Sequence, residues 1–300
     1  MTPRESLTRF AWLSIAAALA TIALKGMAWW LTGSVGLLSD ALESFVNLAA
    51  AILALWLLKV AALPPDEEHT FGHGKAEYFA SGIEGTFIFA AAAGIVVTAV
   101  PRLMHPEPLE QVGWGLAVSS IAALVNLVVG RILIRAGKAH HSITLEADGH
   151  HLMTDVWTSA GVITAVALVA LTGWLRFDPL IAVAVAIHIC LTGVRLMRRS
   201  VSGLMDTALP AEERERVRAI LDRHRVPGID YHALRTRQAG HRRFVYFHLL
   251  VPGTWSVEQG HNLMEDIEAE LRASLPYATV IAHLEPAEDP SSYQDLNLDR

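Results

Sequence analysis

The sequence predicts an α-helical membrane protein: six transmembrane helices, then a small C-terminal cytoplasmic α+β domain with element order αββαβ. Three observations predict it. Of 300 residues, 52% are hydrophobic and only 18% charged, with positive mean hydropathy, too apolar for an ordinary water-soluble domain. The apolar residues collect in six runs before residue 202, each near the roughly 20 residues a helix needs to cross a bilayer core. After about Leu204 the composition turns polar, and the hydrophobic periodicity becomes that of short helices and strands.

The spans cover approximately 10–31, 36–61, 78–100, 112–134, 144–172 and 178–198. Turn chemistry separates them: Thr32-Gly33-Ser34, Pro64-Pro65, Pro101 with Pro106 and Pro108, Gly137, and Gly173 through Pro179. The first run follows basic residues, as a signal peptide would, but it is too long for one and further spans follow, so it is read as retained. Arg4, Arg9, Lys59, Lys75, Arg131, Arg135, Lys138, Arg195, Arg198 and Arg199 fall on one side, against Arg102 and Arg176 on the other. Short basic loops stay cytoplasmic, which puts both termini there.

The transmembrane domain is thus expected over 1–203 and the cytoplasmic domain over 204–286, with a loose polar tail at 287–300. Within the second domain, 211–225 and 256–273 read as helices and 229–237, 243–251 and 278–284 as strands. Cys190 is the single cysteine, which excludes an intrachain disulfide and thiolate metal clusters. Any metal chemistry rests on His and carboxylates.

Ionisable groups inside a span cost about 2.5–3.5 kcal/mol on insertion scales and mark functional positions. Span two carries Asp40, Glu43, Ser44 and Asn47; span five opens "LEADGHHLMTDVWTSAG", with Asp148, His150, His151 and Asp155. Residues four apart share a helix face, so Asp40 stacks with Ser44 and His151 with Asp155. Two such faces opposed offer imidazole and carboxylate ligands to a divalent transition metal. Asp40, His151 and Asp155 are the strong ligands of this reading, and the fourth stays open. A lone Asp could instead be a helix-packing hydrogen-bond partner, and an Asp–His pair a proton relay. The loop "PPDEEHTFGHGKAE" spaces Asp66, His69 and His73 as a surface site would, or as a solvated polar loop would. His232, His248, His261, His283 and Glu285 lie on four successive C-terminal elements and either meet at one edge or are scattered surface residues.

Together, "HLMTD" after "EAD", the loop "DEEHTFGHGKAE", and "HALRTRQAGHRRF" with "FVYFH" and "IAHLEP" resemble the cation diffusion facilitators, in particular their YiiP-like bacterial branch of zinc and iron exporters. The resemblance implies a homodimer in the bacterial inner membrane, with a metallochaperone-like cytoplasmic domain, exchanging divalent metal (Zn2+, Fe2+ or Mn2+) for protons. It implies a transport site at Asp40, Ser44, His151 and Asp155, a loop site at Asp66, His69 and His73, and a cytoplasmic dinuclear site at His232, His248, His261, His283 and Glu285. It also places Lys75 and Asp206 in a charge interlock at the dimer interface.

Two departures stand out. Ser44 replaces a carboxylate, so Asn47, Glu43 or water must complete the transport site; Asn47 fits that face better, and an amide oxygen favours Mn2+ or Fe2+ over zinc. Glu285 replaces a shorter Asp. The competing classes are a membrane-anchored metal sensor that transports nothing and a metal-dependent intramembrane hydrolase, although the sequence has no HExxH run.

Overall fold

The computed structural model describes residues 5–32, 35–105 and 114–294, with side chains described for these except 5, 6, 28, 31, 32, 35–43, 46 and 114–116. The chain divides into two compact units, Met1–Val201 and Ser202–Arg300. The first unit is built from α1 (Glu5–Thr32), α2 (Val35–Ala61), α3 (Ala76–Met104), α4 (Trp114–His140), α5 (Ile143–Thr172) and α6 (Phe177–Leu204). Among the described residues, α1 and α3–α6 are long and apolar enough to cross a membrane; α2 contributes the apolar stretch Asn47–Ala61.

Several helices outrun the apolar spans. α4 passes through Gly137 to His140 and α6 continues past Arg198 and Arg199 to Leu204. Hydropathy reads only the lipid-facing length, whereas backbone hydrogen bonds carry a helix on into its basic, water-facing turns. Pro101 lies inside α3 instead of ending it, one turn from the terminus where little of the helix is left to disrupt.

Helix α5 is defined at both ends. Ser142 caps its start by accepting from Leu145 N–H, and the same hydroxyl donates to Glu77 of α3 at 2.5 Å. Gly173, at φ +73°, closes it in the left-handed conformation. Between α4 and α5 the backbones touch: a Cβ on Gly149 would lie 2.8 Å from the Gly130 carbonyl oxygen, closer than any side chain permits. This contact fixes α5, and with it His151 and Asp155, against α4. Further along, Arg199 of α6 grips Glu146 of α5 with two guanidinium nitrogens, at 2.6 and 3.3 Å.

The second unit holds α7 (Ala211–Arg223), β1 (Asp230–Ala239), β2 (Arg242–Val251), α8 (Val257–Ser274) and β3 (Ala278–Pro286), the expected αββαβ order. The sheet runs β1-β2-β3, with β1 antiparallel and β3 parallel to the central strand, so α8 is the crossover between the parallel pair. Val217, Leu221, Phe247, Leu249, Ile267 and Leu271 form the core between helices and sheet. Beyond β3, the segment expected as part of a loose tail makes a 3-10 turn, Pro290–Tyr293, and Ser292 and Tyr293 donate back to the Pro286 and Ala287 carbonyls.

Candidate metal-binding sites

His151 and Asp155 sit one turn apart on α5, and Asn47 of α2 lies between them. Its Oδ1 is 2.7 Å from His151 Nε2, while its Nδ2 donates to Asp155 Oδ2 at 2.6 Å. Asn126 of α4 donates to the same carboxylate oxygen at 2.9 Å. The carboxylate fixes which end of the Asn47 amide faces it, so the amide oxygen faces the ring and the ring hydrogen sits on Nε2. Amide oxygen, imidazole nitrogen and carboxylate oxygen thus converge inside the helix unit. This donor set suits a divalent first-row ion without any thiolate.

Ser44 is buried on the same helix as Asn47. The side chains of Asp40 and Glu43 lie outside the described residues. Along α2, position 43 is four residues, about 6 Å of rise, from Asn47, and position 40 is seven residues, about 10 Å. Asp148 is buried and accepts from Ser14 of α1 at 3.0 Å, while His150 is half-buried. Two further polar groups, not among the sequence-predicted ligands, also face the pair: Glu84 of α3, whose Oε2 is 3.4 Å from His151 Nδ1, and Asn126. Their signal was present: an acid and an amide inside spans 78–100 and 112–134, where lipid-facing positions hold neither.

The loop between α2 and α3 brings Asp66, His69 and His73 together. Each offers a ligand atom within 4.8 Å of the others. Asp66 Oδ1 accepts the His69 backbone N–H at 2.6 Å, and that bond holds the carboxyl below the usual range. His73 Nε2 is 3.3 Å from Asp66 Oδ2, and the two imidazole rings lie 4.4 Å apart.

In the second unit the sheet register assembles the histidines. His232 pairs with His248 and His248 with His283, one rung across all three strands, with successive ring centroids 5.0 Å apart. Glu285, two residues beyond His283, points to the same face. Its carboxylate meets His232 Nε2 at 2.8 Å, His248 Nδ1 at 3.1 Å and His283 Nδ1 at 3.3 Å. His232, His248 and Glu285 form the compact triad, whereas His283 is 65% exposed. His261, on α8, is exposed and outside that triad. Burial holds the His248 imidazole below the usual histidine range, which keeps it in the neutral form a metal needs.

A helical membrane unit with an internal ligand set, joined to a water-facing domain with a second, is the layout of a membrane transporter for cations. The family model described as the cation efflux transmembrane domain matches residues 11–205, and that of the cation efflux protein cytoplasmic domain matches 209–287. The chain belongs to the cation efflux family, the cation diffusion facilitators, and is a transporter and not an enzyme. The sensor and hydrolase alternatives are thereby set aside. A protein of Synechocystis sp. described as an uncharacterized transporter is 53% identical over 285 residues, 95% of this chain and 92% of the relative. The cation-efflux pump FieF of Klebsiella pneumoniae subsp. pneumoniae is 34% identical over 281 residues, 93% of each chain. Among solved structures, a Zn form of CzrB is 42% identical, covering 26% of this chain and 90% of that one with a TM-score of 0.25.

Proposed function

We propose that the protein is a proton-coupled antiporter that exports a divalent transition-metal cation, Zn2+, Fe2+ or Mn2+, from the cytoplasm by alternating access. It works as a homodimer in the bacterial inner membrane, with both termini cytoplasmic. One observation carries the reading: Asn47 links His151 and Asp155 across α2 and α5, at 2.7 and 2.6 Å, within a cation efflux chain.

An ion entering this site exchanges the internal hydrogen bonds for bonds to metal. The form that binds the ion has a neutral His and an ionised Asp, so protons arriving at either group from the far side release the ion, and an ion that binds the protonated site displaces those protons. We assign the ion to Asn47, His151 and Asp155. Asp40 and Ser44, on the same helix, are the further α2 ligands of this proposal, the first as a carboxylate and the second as a neutral hydroxyl. An amide where a second carboxylate could stand shifts preference toward Mn2+ or Fe2+.

The cytoplasmic domain over 204–286 binds the same metal at His232, His248 and Glu285, with His283 and His261 available to a second ion, and regulates the dimer when metal rises. The loop residues Asp66, His69 and His73 form a further site, and Lys75 and Asp206 belong to the dimer interface of this proposal. Metal uptake into proteoliposomes tests the transport site: Asp155→Ala abolishes it, and undiminished zinc, manganese and iron transport by that variant would remove the assignment.

A further inference from the structure

Glu84 is a buried acid that the proposed transport site leaves unused. It lies in the third turn of α3, 2% exposed, and among the described residues neither of its carboxylate oxygens has a hydrogen-bond partner. Asp148, 1% exposed, is a second buried acid and is itself bonded on one oxygen only, by Ser14, among the described residues. Holding such a group away from water opposes folding, so an apolar side chain of the same size would suit this position better on stability alone. Its use lies in what it faces. Glu84 Oε2 is 3.4 Å from His151 Nδ1, a nitrogen that also lacks a hydrogen-bond partner, while the opposite nitrogen, Nε2, is turned to Asn47.

We infer that Glu84 is a positioning residue for the transport site: its carboxylate accepts the Nδ1 hydrogen of His151 and leaves Nε2 bare toward the transported ion. The inference rests on His151 being an ion ligand. In the ion-free arrangement Nε2 carries the ring hydrogen and donates it to Asn47 Oδ1. A nitrogen that donates a hydrogen cannot also bind a metal. For the ion to take Nε2, one hydrogen leaves that atom as one is taken up at Nδ1, and the ring stays neutral. Glu84 Oε2 is the acceptor facing Nδ1, at a separation about 0.4 Å beyond an ordinary hydrogen bond. Ligating histidines characteristically give their second N–H to a carboxylate or carbonyl, which fixes the tautomer and the ring plane. The arrangement makes α3 a third helix of the site and couples its position to ion affinity.

The test compares zinc uptake by reconstituted full-length protein carrying Glu84→Met, Glu84→Gln or Asp155→Ala, with the melting temperature of each variant. Glu84→Met fills the same space without an acceptor. It raises KM about 10–100-fold, the usual cost of losing such a partner, with Vmax less affected and the melting temperature unchanged or higher. Glu84→Gln keeps an oxygen acceptor and raises KM by a clearly smaller factor. A wild-type KM for Glu84→Met, equal rises for Met and Gln, or a lowered melting temperature with Glu84→Met would each overturn the inference. Asp155→Ala separates the two levels. Wild-type uptake by that variant sinks the transport site itself, whereas its loss beside a wild-type KM for Glu84→Met sinks only the role of Glu84.

Discussion

Asn47 is the residue on which the proposed transport site turns. It is uncharged, 5% exposed, and bonded at both ends of its amide to residues of α5. Asn47→Ala removes both bonds and one ligand, and raises the KM for metal in proteoliposomes about tenfold or more, whereas Ser44→Ala changes it much less. Asn47→Asp adds a charged oxygen at the same place and moves the zinc-to-manganese transport ratio toward zinc. Ratios unchanged by that substitution would take Asn47 out of the ion's coordination sphere. That His151 and Asp155 share a face was legible in the sequence because helical spacing alone puts residues four apart on one side. The α2 half was less so. Asp40, Glu43, Ser44 and Asn47 all lie within two turns, and only the packing of α2 against α5 shows that Asn47 meets the pair. Glu84 was harder still, since its partner His151 is on a helix distant in sequence.

At the scale of elements, two contacts hold the ligands where they are. The crossing of α4 and α5 admits no side chain between Gly130 and Gly149. Gly149→Leu forces these helices apart, and the purified protein loses its monodisperse elution and its metal uptake together; a variant that elutes and transports normally would contradict the packing. In the C-terminal unit, Arg243 of β2 reaches Glu213 of α7 with two nitrogens, at 3.1 and 3.0 Å, and both residues are buried. Arg243→Met strands Glu213 without its cation, and denaturant unfolding shows a loss of about 3 kcal/mol or more. The strands themselves were readable from alternation and β-branched content. Their register was not. Whether His232, His248 and His283 share one rung depends on cross-strand pairing and on the irregularity between His232 and Arg235, neither of which a strand's own residues encode.

For the whole molecule, six hydrophobic runs and a polar α+β remainder were enough to read the architecture, because the bilayer sets the length of a spanning helix almost independently of sequence detail. With the proposed regulatory triad, His248→Ala lowers the metal bound per protomer in equilibrium dialysis and raises the metal level at which transport accelerates, while saturating flux persists. Unaltered binding would exclude the triad as a metal site. Outward metal flux driven by inward protons through Asn47, His151 and Asp155 is tested by recording metal uptake and lumenal pH simultaneously in vesicles containing the wild-type protein. Metal entry is expected to carry protons out of the lumen, an imposed outward proton gradient to accelerate uptake, and Asp155→Ala to abolish both signals. Metal flux with no accompanying proton movement, or an undiminished signal from Asp155→Ala, would contradict it.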